Sequence, residues 1–324
     1  VRQRADRLRA VHDQLWVTAA SDLDQVAQQL DQIRPVACVV DSVQTVSDPS
    51  ITSAPGSLAQ VRDSAQWLVH QARARSAAMV LVGHVTKEGT LAGPRVLEHV
   101  VDTVVSFDGD GHHALRLLRV GKHRHGPTGE LGVLEMTGRG LIDVVDASAL
   151  FLADRCVEVP GSAVVATIDG DRPLLVELQS LVVASTLPAP RRSAQGVDSG
   201  RLSVLLAVLQ QRAGVSCDAR DVYVSAAGGA RVVEPGADLG LCLAIASSVA
   251  DVTLPSDLVV CGEVGLAGEL RRPVGIDQRL AEAERVGYRA ALVPATVEPG
   301  RSSLRLLRVA SVTEALDRVL GSSR

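Results

Sequence analysis

Aromatic side chains are scarce in this sequence: two Phe, two Trp and two Tyr among 324 residues. So few rings remove the stacking platforms on which single-strand-binding folds depend. Lysine is rarer still. Of 33 Lys and Arg residues only Lys87 and Lys122 are lysines. All eight histidines lie at or before His125. The second half therefore has no lysine or histidine to serve as a general base, and arginine is too basic to replace them. The five cysteines (Cys38, Cys156, Cys217, Cys242 and Cys261) form no C-x-x-C pair. That excludes a zinc ribbon and gives no disulfide framework, and an odd number suits a reducing cytoplasm. No run of 18 apolar residues occurs, which argues against a membrane span. The net charge of -4 is shared evenly between the halves and there is no basic tail. Any nucleic-acid contact must then come from a local patch. The opening residues, Val1 to Asp6, have neither the apolar core nor the cleavage site of a signal peptide. They begin without a Met, inside what reads as a helix, so the sequence reads as a fragment.

The length suits two domains of ordinary size, and 46% hydrophobic with 22% charged residues is globular composition. Residues 22–33 predict an amphipathic helix capped by Ser21 or Asp22 and stopped by Pro35. Val36-Ala37-Cys38-Val39-Val40-Asp41 is an apolar run ending in a carboxylate, the pattern of a central parallel strand buried on both faces. A Ser-, Pro- and Gly-rich loop, a helix over 58–75 and a second strand over 79–84 follow. That order predicts a right-handed crossover in a parallel sheet. Strands near 101–107, 114–120 and 131–136 close a first domain over 1–149. A second, over 150–324, opens with a strand pair around Asp169-Gly170-Asp171. Helices are predicted there near 200–212, 238–250, 276–286 and 312–320, alternating with strands near 221–225, 258–262, 290–293 and 304–309. Residues 186–193 read as a surface loop.

Asp41, at the carboxyl end of its strand, is the strongest single pointer to chemistry. Open α/β sheets bind ligands at that rim. Nucleoside-triphosphatases hold Mg²⁺ with such an aspartate. A helix N-cap or a loop aspartate gives the same pattern, and on pattern alone both readings stand. The neighbouring segments add a resemblance. Val39 to Thr45, Gly83 to His99, Val101 to Val104, Lys122 to Gly126 and Cys261 to Arg271 are similar to the bacterial RadA (Sms) DNA-repair ATPases, which are RecA relatives. The likeness extends over essentially the whole chain.

The resemblance implies a RecA-like parallel-sheet ATPase core, present in part, followed by a Lon-protease-like mixed α/β domain. It implies ATP and Mg²⁺ as cofactors, with zinc confined to an N-terminal region outside this sequence. Asp41 then looks like the Walker B aspartate, holding Mg²⁺ through water with Ser42 on the same Mg–ATP side. His84 looks like the sensor of the γ-phosphate. The loop from Val85 to Pro94 resembles a DNA-binding loop, with Lys87 and Arg95 on the DNA. Lys122 and Arg124 match the cations of the family's Lys-Asn-Arg-Phe-Gly motif, which act on the triphosphate of a neighbouring subunit. Both lysines of an otherwise arginine-based sequence fall in these motifs. A compact ammonium and a planar guanidinium are not interchangeable, so this is independent support; chance survival of two surface lysines is the alternative.

Two departures stand out. His123 and His125 replace the motif's Asn and Phe, which puts the packing role of the Phe in doubt. With His112 and His113 they also raise a metal site as an alternative to solvated hairpin histidines. No G-x-x-x-x-G-K-[ST] occurs in the sequence, so nothing in it wraps the β-phosphate. N-terminal truncation explains that better than divergence. In the second half Asp238 and Asp277 stand where a Lon-type Ser–Lys dyad would be, and with no lysine or histidine after His125 a Ser–Lys or Ser–His protease there is ruled out; Arg191, Arg192, Arg271 and Arg272 read as a DNA-contacting surface or as a solvated face. The expected protein is a DNA-dependent ATPase and motor of recombinational repair in the cytoplasm. It would be a hexameric ring on single-stranded and branched DNA, with a RecA-type recombinase as partner. The rival is a non-catalytic ring scaffold.

Overall fold

The computed structural model describes residues 2–54, 56–84, 97–109, 115–298, 300 and 302–321. The chain divides into two compact units, 1–106 with 120–128, and 107–119 with 129–324.

The first unit opens with α1 (Arg2–Arg7) and α2 (Leu23–Ile33). Asp22 caps α2 by accepting from the Gln25 backbone N–H at 2.8 Å, and Arg34 closes it in the left-handed region ahead of Pro35. Strand β1 (Ala37–Asp41) leads into a 3-10 turn, then α3 (Leu58–Ala74) returns the chain to β2 (Ala78–Val82). The two strands pair in parallel, with Asp41 opposite Val82. Leu23, Val26 and Leu30 of α2 and Val61, Ala65 and Leu68 of α3 form the core under Cys38, Val40, Met79 and Leu81. The other face departs from the sequence reading. Val39 and Val80 are 64% and 55% exposed, so β1 is half-buried on one face and open on the other. The described helices supply a single covering layer, and a strand needs two to be buried on both sides.

A four-stranded sheet follows in the order β3 (Thr103–Asp108), β4 (Leu115–His123), β5 (Leu131–Thr137), β6 (Gly140–Asp143). The chain passes between the two units along it. Residues 129–149 go with the second unit, because Leu131, Val133 and Ala147 share one core with Val165 and Leu205.

The second unit continues with α4 (Ala147–Leu152), β7 (Ser162–Asp169), β8 (Arg172–Ala184), β9 (Arg192–Gln195), α5 (Ser199–Ala213) and β10 (Arg220–Ala226). It ends with α6 (Asp238–Ala250), β11 (Leu258–Val260), β12 (Glu263–Val264), β13 (Leu270–Arg271), α7 (Ile276–Val286), β14 (Ala290–Pro294), β15 (Arg305–Val309) and α8 (Val312–Leu320). Seven strands form a mixed sheet in the order β15-β14-β11-β7-β8-β10-β9. Helices α5, α6 and α8 pack on one face and α7 on the other. Helix α6 is apolar on all sides, as a helix sealed within a core must be. Gly240 lets it seat: a Cβ there would lie 2.1 Å from Val165 Cγ1. At the β7–β8 turn, Gly170 adopts a φ of +62° beneath the Gly129 carbonyl, where no side chain fits.

Asp146 caps α4 through the Ala149 N–H and meets Arg285 of α7 at 2.7 and 2.9 Å. The Arg285 guanidinium and the capped N–H hold this carboxyl down to about 2. A depressed carboxyl stabilises the fold above its ordinary range and loses that contribution as pH falls toward the folded value. Thermal melts should show Arg285→Ala less stable than wild type at pH 6. The gap should narrow steadily from about pH 4 to pH 2, where the unfolded and then the folded carboxyl protonates.

Candidate functional site

The first unit gathers the strand-end residues. Asp41 terminates β1 with its carboxylate exposed, and His84 lies exposed two residues past the end of β2. Parallel pairing brings both to one rim of the sheet. Gln44, in the turn after β1, reaches the second strand end: its Nε2 donates to the His84 carbonyl at 3.5 Å. The Oε1 of the same amide is buried and has no hydrogen-bond partner among the described residues. Sequence reading passed over Gln44; its place three residues after the strand-end aspartate was the only signal. Ser42 follows a cis peptide and is 6% exposed, so its side chain is covered. Its carbonyl accepts from Thr45 Oγ1 at 2.8 Å, which holds the turn behind Asp41.

Lys122 and Arg124 occupy the end of β4 and the turn after it. The half-buried Lys122 ammonium donates to the carbonyl oxygens of Glu98 and Val101, the latter at 2.9 Å. These are end carbonyls of a helical turn, the place where a cation meets unpaired acceptors. Arg124 pairs with Asp102 at 2.7 Å, and Arg73 approaches the same carboxylate at 3.5 Å. His123 shares a 2.9 Å hydrogen bond with Thr103. His125 is exposed. Among the described residues no group of three His, Cys, Asp or Glu side chains could hold a metal. Lys87, Arg95, His112 and His113 lie outside the described residues.

In the second unit Asp238 starts α6, 4% exposed, and is gripped by Arg201 of α5 through Nε at 2.9 Å and through Nη2. The Val264 N–H adds a third bond at 3.2 Å. Burial pushes the Asp238 carboxyl up, against the pull of Arg201. Asp277 is exposed and only loosely approached by Arg272, at 3.9 Å. Asp238 and Arg201 thus form a structural ion pair. The thiols of Cys217, Cys242 and Cys261 are buried and raised by desolvation, so none supplies a thiolate near neutral pH. Arg192 spends its guanidinium on the carbonyls of Arg191, Arg220 and Cys217, and Arg271 on Glu269 and Glu263. Both lie exposed on the surface. Asp238→Ala should therefore weaken the fold by about 3 kcal/mol, since it strands Arg201 and the Val264 N–H; urea melts would read this.

Taken together, the chain is a mixed α/β protein whose first unit presents a carboxylate at the carboxyl rim of a parallel sheet. It is 44% identical over 321 residues to the DNA repair protein RadA of Halalkalibacterium halodurans, a match covering 98% of this chain and 70% of that protein. It is 42% identical over 322 residues to RadA of Bacillus subtilis and 45% over 319 to RadA of Pseudomonas aeruginosa, again over 98% and 70% of the respective lengths. No family model matches the chain. The chain belongs to the bacterial RadA family of DNA repair proteins. Its α/β architecture is that of a RecA-like core with a C-terminal domain. Among the described residues no helix is long and apolar enough to cross a membrane.

Proposed function

We propose that the protein is an ATP-driven DNA motor of recombinational repair, hydrolysing ATP between the subunits of a cytoplasmic six-membered ring on single-stranded and branched DNA. The observation that carries the reading is the open Asp41 carboxylate at the sheet rim beside His84, with the unpartnered Gln44 Oε1 behind it. The donor set fits Mg²⁺ with a triphosphate. Mg²⁺ keeps most of its waters and takes one or two carboxylates plus substrate phosphates, so a single exposed Asp suffices where a cage of protein ligands is absent. Bound Mg²⁺ supplies charge neutralisation on the transferred phosphoryl group.

In this reading Asp41 would hold Mg²⁺ through water and Ser42 keeps the turn behind it fixed. Gln44 couples the two strand ends, so that His84 reports the state of the phosphate to the DNA-contacting residues Lys87 and Arg95. Lys122 and Arg124 serve the neighbouring subunit's triphosphate, and the C-terminal unit, Lon-like with its dyad replaced, builds the ring. A RecA-type recombinase is the partner. No G-x-x-x-x-G-K-[ST] motif occurs in these 324 residues, so calorimetry should find weak or no ATP binding to this chain alone. Tight binding would refute that. For the full-length protein, ATP hydrolysis stimulated by single-stranded DNA is expected; its absence would favour a non-catalytic ring scaffold.

A further inference from the structure

The face of the seven-stranded sheet that carries α7 is left open beyond the middle of β8. Strand register lines up Ser162, Gln179, Ser225 and Gln195 as one polar row across β7, β8, β10 and β9. Two adjoining cavities lie over this row, about 480 and 660 Å³, and share Glu177, Gln179, Gln195 and Ser225 in their walls. Cavities of this size hold small ligands.

At one end of the row stands an unusual pair. Glu177 is 2% exposed; its carboxylate accepts from the Ser162 hydroxyl and from Gln179 Nε2 at 2.9 Å. Each oxygen keeps a lone pair free, because a carboxylate offers about four acceptor sites. Arg155 has a side chain only 9% exposed. Its Nη1 donates to the Ser256 carbonyl at 3.0 Å and to the Tyr288 hydroxyl at 3.2 Å. Its Nε is buried with no hydrogen-bond partner among the described residues, 4.0 Å from Glu177 Oε1 and too far to bond. An unmet buried donor beside an under-used carboxylate asks for a ligand with an acceptor next to donors.

We propose that this cleft is a binding pocket for a guanine base. Guanine places its O6 acceptor beside the N1–H and N2–H donors, so Arg155 Nε meets O6 while Glu177 takes both N–H groups as a fork. Charge-assisted forked contacts of that kind are the strong ones. Adenine and cytosine offer the carboxylate a single amino group and then a repelling ring nitrogen. A guanidinium or ammonium ligand would satisfy Glu177 but face the Arg155 charge and leave its Nε unmet. Glu177 and Asp154 offset the one arginine in the walls, so the pocket selects the uncharged base and not its phosphate. The guanine comes either from a free nucleoside or from an unstacked position of a DNA strand; the chemistry is common to both.

Deoxyguanosine, which carries no phosphate and leaves the ATP reading untested, is the probe. Calorimetric titration of the full-length protein should show saturable binding at least tenfold tighter than for deoxyadenosine, deoxycytidine or thymidine. Glu177→Gln and Arg155→Lys should each weaken it at least tenfold. Ser225→Phe, which fills the open row without touching the core, should abolish it with an unchanged melting temperature and circular dichroism. Displacement of the probe by an oligothymidine carrying one guanine, but not by plain oligothymidine, assigns the strand as source; failure of both assigns the free nucleoside. The proposal is overturned by no saturable binding up to the solubility limit, by equal binding of all four nucleosides, or by binding that survives Ser225→Phe.

Discussion

Lys122→Ala in the full-length protein is expected to lower DNA-stimulated ATP turnover by about 10³-fold or more, with ATP affinity changed by less than about threefold. The size follows from the role: a cation reaching a neighbour's phosphates stabilises charge that develops only in the transition state, and such groups contribute about 10³–10⁵ in rate. Affinity for the ground state is then nearly untouched. The ammonium already donates to the Glu98 and Val101 carbonyls. It has three donors, so one remains for a phosphate while the other two hold its position. A purely structural lysine would give a different result, a lowered melting temperature with turnover reduced only in proportion to the folded fraction. Equal loss of ATP binding and turnover would place Lys122 at its own subunit's nucleotide. Lys122→Arg should restore little, because a planar fork does not reproduce a point charge bonded to two carbonyls.

The largest effect on stability is expected at Arg279. Its guanidinium, 2% exposed, donates to the carbonyls of Val274 (2.9 Å) and Ala166 (2.6 Å) and to both oxygens of Glu234 at 2.6 and 3.0 Å. Glu234 in turn accepts from the Thr167 hydroxyl at 3.1 Å and the Gly236 N–H at 2.7 Å. One arginine thus joins β7, the turn before α6 and the start of α7. Arg279→Met leaves the carboxylate and two carbonyls without their donor, and breaking a buried pair from one side costs about 3–5 kcal/mol. For a unit of about 200 residues that lowers Tm by roughly 10 °C. Arg279→Met combined with Glu234→Leu should recover part of the loss, since removing both charges is milder than stranding one. Calorimetric melts of the three variants check this. A single-variant loss below about 1 kcal/mol would show that water already shares the site.

Most of the second unit was legible because its signals are local. Helices over 238–250, 276–286 and 312–320 fall on the predicted residues, and the Asp169-Gly170-Asp171 turn joins β7 to β8 as read. The apolar run from Val36 to Val40 gave a strand and its strand-end carboxylate, but not its open face. Covering layers come from segments distant in sequence, and an apolar pattern records only that burial suits the residues. The turn residue Gln44 and the carbonyl contacts of Lys122 depend on tertiary approach that spacing does not encode. Asp238 was legible as a missing nucleophile and not as the partner of Arg201, 37 residues earlier. Glu177 did leave a signal: a carboxylate inside Leu174-Leu175-Val176-Glu177-Leu178 has to find a buried partner.

The most direct test of the motor reading is the position of the Asp41 carboxylate in the full-length protein with Mg²⁺ and a non-hydrolysable ATP analogue bound. The account requires that carboxylate one water away from the metal, with Lys122 or Arg124 of an adjoining subunit on the terminal phosphate. A metal held without Asp41, or a phosphate met by cations of its own subunit alone, would contradict it.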